Sequence, residues 1–246
     1  MSRRRFFVDS VRAGSAEIHG ENARHLTRVL RVEPGQRFEI SDYERAWLAE
    51  IVEARGEHVT FRVLEPVETA GLPAHIALYA ALVKFDRMEW MIEKATELGV
   101  ESIHPVECAR SEKGLFEGAR KRLERWQRVA REASQQSRRL RPPEIVEAVK
   151  WQPAINAPAG LRFFFEETTA PPLLASLPRE RHPQDLVNLF IGPEGGWTDT
   201  ERQEAAAAGW QAVSLGPQVL RAETAALAAV SVIANAWMTG CSPGPA

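Results

Sequence analysis

The chain has 246 residues, 44% of them hydrophobic and 26% charged, with a formal net charge of −2. That composition excludes disorder and predicts one or two globular domains that fold without disulfides or a structural metal. Cys108 and Cys241 lie far apart and form no C-x-x-C, which excludes a disulfide framework or dithiol redox chemistry.

The opening residues carry arginines but only Phe6, Phe7 and Val8 as an apolar run, too few for a signal peptide. The next segments read as short strands at Arg5–Asp9, Ala16–His19, Arg37–Asp42, Ala46–Val52 and His58–Leu64, the pattern of a compact barrel. One helix over Glu21–Val32 interrupts them, with Leu26, Val29 and Leu30 expected on one face and Pro34-Gly35 turning the chain afterwards. Pro66–Pro73 (PVETAGLP) reads as a linker, so residues 1–70 and 74–246 are expected to be separate domains.

Beyond Pro73 the rhythm changes. Apolar runs at Ile76–Leu82, Ser102–Val106, Leu161–Phe165, Leu186–Ile191 and Ala212–Leu215 alternate with helical patterns over Arg87–Leu98, Ala119–Ser137, Asp199–Ala208 and Ala222–Met238. This alternation predicts an α/β domain with a mostly parallel sheet. Asp86 and Glu89 read as a capping signature for the first helix, and Gly99 as its stop. The longest apolar run, Ile76–Val83, is a strand's length, so no membrane span is expected and a cytoplasmic location is. The tail, residues 241–246, is expected to be loose.

The net charge hides a clustered distribution. Between Ala119 and Arg141, nine basic residues face only Glu124 and Glu132, a local charge of +7. On a helical projection Leu123, Trp126, Ala130 and Ser137 share one side, with Lys121, Arg125, Arg128 and Arg139 opposite. The choice is between a solvated face and a phosphate-binding one. A solvated face is the ordinary reading, and the scarcity of acidic partners with the neighbouring Gln135, Gln136 and Ser137 brings the second level with it, so both stay open. Trp126 and Trp90 are expected in the core.

The strongest local signal is Phe190-Ile-Gly-Pro-Glu-Gly-Gly-Trp197, between a strand and a helix capped at Thr198 or Asp199. Gly192, Gly195 and Gly196 lack a Cβ, which lets backbone adopt positive φ and approach a ligand at a strand's carboxyl end. The loop is neither a Walker loop nor a dinucleotide fingerprint. A second strand-to-helix loop, Leu215 to Ala225, carries Gly216-Pro217 and an Arg221, Glu223, Thr224 cluster. Two such loops at adjacent strand ends would face one crevice. The six histidines never occur in pairs at metal-ligand spacing, so no metal is expected. His25 is expected in a structural role or on a basic surface.

Taken together, these motifs resemble the bacterial small-subunit ribosomal RNA uridine-N3 methyltransferases of the SPOUT superfamily. The resemblance rests on Arg5-Phe-Phe-Val8, His25-Leu-Thr-Arg-Val-Leu-Arg31, Lys84 through Val100, Arg125-Trp126, Gln136-Ser137, Arg139, Ile191–Gly196, and Leu215 through Ala225. The chain departs from the pattern at Phe85, Ala109, Gln135 and Gln218. The resemblance implies a PUA-like barrel followed by a trefoil-knot domain that dimerises and binds S-adenosylmethionine. It implies cofactor contacts at Glu166, Ile191, Gly192, Gly195, Gly196, Leu215, Gly216, Leu220, Arg221 and Thr224. RNA contacts are implied at Arg5, His25, Arg28, Arg31, Arg110, Arg125, Arg128 and Arg139. The implied reaction is methylation of N3 of a decoding-region uridine in 16S rRNA, on the assembled small subunit. Because that nitrogen carries a proton, the chemistry needs a base, Glu194 or Glu223, and a cation such as Arg221 for the developing anion. Competing readings are a SPOUT enzyme acting on another base or on a ribose 2′-hydroxyl, and a non-catalytic RNA-binding assembly factor.

Overall fold

A computed structural model describes residues 4–69, 71–167 and 170–240. The expected loose tail lies outside them. The chain divides into two units, Met1–Gly71 with Arg131–Pro142, and Leu72–Ala130 with Pro143–Ala246.

In the first unit, strands β1 (Arg5–Phe7), β2 (Val11–Arg12), β3 (Ser15–His19), β4 (Arg37–Ser41), β5 (Ala46–Arg55) and β6 (His58–Val67) form one sheet in the order β1-β4-β5-β6-β3-β2. β1 runs parallel to β4 and the other pairings are antiparallel. Alternation along the strands sends Phe6, Ala16, Ile18, Ile40, Ile51, Val59 and Phe61 into a shared core. The same alternation turns Glu17 and His19 outward, and the register sets His19 directly opposite His58. Pro66 is accommodated within β6 because β3 pairs only with His58–Arg62, so the proline's missing N–H faces no strand.

The helix expected over Glu21–Val32 is instead α1 (Gly20–Arg24) continued by a π-helical turn, His25–Val29. The wider turn rotates Val29 to 65% exposure while Leu26 stays buried, so these two do not share a face.

The segment Arg131–Pro142 belongs to the first unit through specific contacts. The Arg131 guanidinium lies 5.2 Å from the Phe7 ring centroid and donates to the Tyr43 hydroxyl at 3.1 Å, while Ser41 Oγ donates to the Leu140 carbonyl at 2.7 Å. Arg5 is buried and forked onto Glu39, with Nε and Nη2 at 3.1 and 2.8 Å from one carboxylate oxygen, while Arg138 approaches the other at 3.4 Å. Arg5 is therefore a structural ion pair. It is buried and not open to RNA, which corrects the contact that the resemblance implied.

The second unit begins with β7 (His75–Ala81), α2 (Phe85–Glu97), β8 (Ser102–Glu107), α3 (Leu115–Arg120) and the part of α4 (Leu123–Gln136) up to Ala130. It continues through β9 (Glu144–Ile145), β10 (Val149–Lys150), α5 (Trp151–Ile155), β11 (Leu161–Phe165) and α6 (Leu173–Ser176). It ends with β12 (Leu186–Ile191), α7 (Asp199–Ala207), β13 (Gln211–Val213) and α8 (Ala222–Gly240). The sheet runs β10-β8-β7-β12-β11-β13, with β9 beside β8, and every pairing is parallel. Both faces are covered, so β7 and β12 are apolar along almost their whole length.

Three local expectations need correction. The helix read over Ala119–Ser137 is two helices, because Lys121 and Arg122 make tight i→i+3 bonds back to Gly118 and Ala119. Asp86 does not cap α2, which starts one residue earlier at Phe85 with no side-chain cap, and Glu89 accepts instead from Arg125 at 2.7 Å. Trp126 is fully buried but Trp90 is 46% exposed. The departure at Phe85 has a packing role: its ring sits over Gly118, where a Cβ would come within 2.7 Å, and lies edge-on to Trp126.

Candidate active site

The glycine loop leaves β12 and enters α7. Thr198 caps that helix with a reciprocal capping box, its hydroxyl accepting from the Glu201 amide while Glu201 accepts from the Thr198 amide. Glu201 also accepts from the Ala109 amide at 2.8 Å, which ties the loop after β8 to the same helix start.

The loop's glycines serve different ends. Only Gly196 has positive φ, at 67°. A Cβ on Gly192 would lie 2.8 Å from the Trp197 indole, and one on Gly195 would lie 3.1 Å from Arg110 Cβ. At those two positions the missing side chain admits neighbouring protein groups, whereas the sequence suggested only ligand approach and backbone freedom. Trp197 is the pivot. It is buried, stacks on Phe164 at 4.3 Å and donates from Nε1 to the Phe165 carbonyl at 2.8 Å. That bond joins the ends of β11 and β12.

A cavity of about 300 Å³ opens at these strand ends. Its walls come from three segments: Phe165 to Glu167 after β11, Ile191 to Trp197 after β12, and Leu215 to Ala225 after β13, with Arg110 and Arg202 at the edge. The strands bearing the two sequence-predicted loops are not adjacent, because β11 lies between them and adds its own loop. The crevice nonetheless forms, since all three strands are parallel and present their carboxyl ends to one side.

Of the expected cofactor residues, Glu166, Ile191, Gly192, Gly195, Gly196, Leu215, Gly216, Leu220 and Arg221 line this cavity. Thr224 does not; it points outward on the first turn of α8. Glu166 is held by Arg202, whose Nε and Nη2 lie 2.8 and 3.3 Å from its two oxygens, and this pairing raises the arginine's already high pKa.

Among the expected catalytic residues, Arg221 is exposed and lines the cavity beside Glu194. Glu223 is buried and off the cavity wall, and its Oε2 finds no hydrogen-bond partner among the described residues. Between the two carboxylates stands Arg87 of α2, with Nη1 2.5 Å from Glu194 and Nε 4.0 Å from Glu223. Sequence reasoning missed this arginine. Its place in an amphipathic helix carried no ligand signal, and only the packing of α2 against α8 brings it here. Arg110, expected to touch RNA, donates instead to the Gly195 carbonyl at 2.8 Å.

The basic surface is partly neutralised. Arg125 and Arg122 approach Glu89 of α2 at 2.7 and 3.6 Å, a partner that the linear projection could not supply. Arg28, Arg31 and Arg128 are exposed, and His25 and Arg139 are half-buried.

Comparison with known proteins agrees with this arrangement. Residues 70–234 match the RNA methyltransferase domain family and residues 18–64 match the RNA methyltransferase PUA domain family. The ribosomal RNA small subunit methyltransferase E of Synechocystis is 34% identical over 89% of this chain and 71% of its own length. The Bacillus subtilis protein of the same name is 30% identical over 93% and 95%. The crystal structure of a ribosomal RNA small subunit methyltransferase E from Neisseria gonorrhoeae bound to S-adenosyl methionine superimposes with a TM-score of 0.85 at 31% identity, covering 96% of this chain and 98% of that one. The parallel unit accordingly has the SPOUT trefoil-knot fold and the first unit is PUA-like. The chain belongs to the ribosomal RNA small subunit methyltransferase E family.

Proposed function

We propose that this protein methylates N3 of a decoding-region uridine in 16S rRNA on the assembled small subunit, using S-adenosylmethionine, and works as a cytoplasmic homodimer. The observation that carries this reading is the convergence of a glycine loop, an exposed arginine and a carboxylate on one cavity at the carboxyl ends of three parallel strands.

The cavity's residues fit the cofactor. Backbone groups of Ile191, Gly195 and Gly196 and the apolar walls of Leu215 and Leu220 suit an adenine and ribose gripped without long side chains. Glu167 offers a carboxylate to a cationic ligand, while Glu166 is engaged by Arg202. When bound, S-adenosylmethionine supplies an electrophilic methyl group.

What the chain's own residues contribute is positioning, proton removal and charge stabilisation. Glu194 stands on the cavity wall with its carboxylate oriented by Arg87, so it is better placed than Glu223 to accept the N3 proton. Arg221 faces the same space and stabilises the negative charge that develops as the proton leaves. Because N3 lies on the Watson–Crick edge, the uridine must be unpaired when it enters. The exposed Arg28 and Arg31 of the first unit, and the exposed Arg128 of the second, then serve as contacts to surrounding phosphates.

The test is methylation of small subunits from a strain lacking the protein, followed by nuclease mapping and mass analysis. The reading expects one methyl on the base of a single uridine, blocking its pairing edge. A methyl on a ribose hydroxyl, or none, refutes it.

A further inference from the structure

A second cluster lies on the outer face of the PUA-like unit. Glu17 and His19 are two residues apart on β3, so both project from the face opposite the buried Ala16 and Ile18. His58 on β6 is the direct cross-strand partner of His19. The two imidazoles stack in parallel, 4.7 Å between centroids and 5° between planes. His19 Nε2 is hydrogen-bonded to one oxygen of Glu17 at 3.1 Å, and His58 Nε2 lies 3.4 Å from the same oxygen and 3.4 Å from the Thr60 hydroxyl.

We propose that Glu17, His19 and His58 form a binding site for a divalent transition-metal ion of the zinc class. Two imidazole nitrogens and a carboxylate oxygen are the donor set that borderline ions such as Zn²⁺ prefer. In a tetrahedral zinc site with bonds of about 2.0–2.1 Å, adjacent donor atoms stand roughly 3.3–3.4 Å apart. Two of the three donor separations here, 3.1 and 3.4 Å, already match that edge. All three donor atoms fall within 4.8 Å of one another, and the two rings must tilt out of their parallel stack for both in-plane lone pairs to meet at one ion.

A metal ion would take the Nε2 lone pairs of both rings, and the Glu17 carboxylate would offset part of its charge. The side chains are 50, 62 and 41% exposed for Glu17, His19 and His58, which leaves room for water to complete the coordination shell. Linear spacing hid this set, since His19 and His58 are 39 positions apart and meet only through the β3–β6 register.

The site can be tested on the untagged full-length protein after treatment with chelator. Titration with zinc chloride by calorimetry is expected to give one equivalent bound in the micromolar range or tighter. Cobalt(II) at the same site should give the intense visible absorption of a four-coordinate ion. His19→Ala and His58→Ala should each weaken binding at least about 100-fold, since even partners one shell outside a metal's ligands carry 10–100-fold. His182→Ala serves as a control that leaves binding unchanged. The three side chains are exposed, so the variants are expected to fold, and their melting profiles without metal check this. One equivalent retained in the His19→Ala/His58→Ala double variant, binding only at millimolar zinc, or cobalt spectra of a six-coordinate ion would each overturn the proposal.

Discussion

Replacing Gly192 by alanine tests whether the glycine loop is set by its own protein neighbours. The added Cβ would stand 2.8 Å from Trp197 Cε2 and 3.1 Å from both Cζ2 and Nε1, where ordinary contact begins near 3.4 Å. One side must therefore retreat by about 0.6 Å. Trp197 cannot do so easily, because it is boxed by Phe164 at 4.3 Å, Phe190 at 5.3 Å and Trp151 at 5.7 Å. Overpacking of this kind costs about 1–3 kcal/mol. If the indole is displaced from the Phe165 carbonyl, the unpaired buried groups cost about 1–3 kcal/mol more. At roughly 2–4 °C per kcal/mol for a chain of this size, Tm should fall by about 2–12 °C, and by about 4–24 °C if the indole bond is also lost. Affinity for S-adenosylmethionine should fall by at least about tenfold, because the Ile191–Gly192 backbone lines the cavity. Thermal unfolding followed by tryptophan fluorescence reads the first effect and calorimetry the second. Gly195→Ala is the comparison, since its Cβ meets the exposed Arg110 at 3.1 Å and the loss should be smaller. A Gly192→Ala protein with unchanged Tm and unchanged affinity would refute the account of Trp197 as a fixed wedge.

Arg221→Ala should lower turnover by about 10²-fold or more while changing cofactor affinity much less, as measured by single-turnover methylation and calorimetry; equal losses in both would make it a binding residue. Arg87→Met should destabilise by about 1–3 kcal/mol by leaving Glu194 and buried Glu223 without their cation, and Glu223→Gln should recover part of that loss in a double-mutant cycle. Reversing the exposed Arg128 to Glu should lower the slope of log affinity for RNA against log salt by about one, and an unchanged slope would return α4 to a solvated face. Burial lowers the His104 pKa to about 4 from 6.5, so the folded state resists a proton that the unfolded chain accepts. Stability should therefore be unaffected above pH 7 and fall progressively below 6.5, by about 2 kcal/mol at pH 5. Urea melts of wild type and His104→Gln at pH 8 and pH 5 check this, and an equal pH dependence in both proteins would exclude His104 as the source.

Short-range patterning determined much of this protein. Apolar runs and their period fixed strands such as Leu186–Ile191 and helices such as Asp199–Ala207, because each depends on contacts within a few residues. The glycine loop and Arg221 were legible for a related reason: a bend between a parallel strand and a helix has few sequence solutions. Tertiary structure decided which of these segments meet. Only the order β7-β12-β11-β13 brings three loops to one cavity, and only the approach of α2 puts Arg87 between Glu194 and Glu223. Arg5 carries the same charge as Arg28, yet pairing with Glu39 buries one while the other meets solvent. The physical reason is common to all three. The energy of a buried charge, or of a Cβ against an indole, depends on atoms that sequence separates by tens of residues, and no local pattern reports their distance.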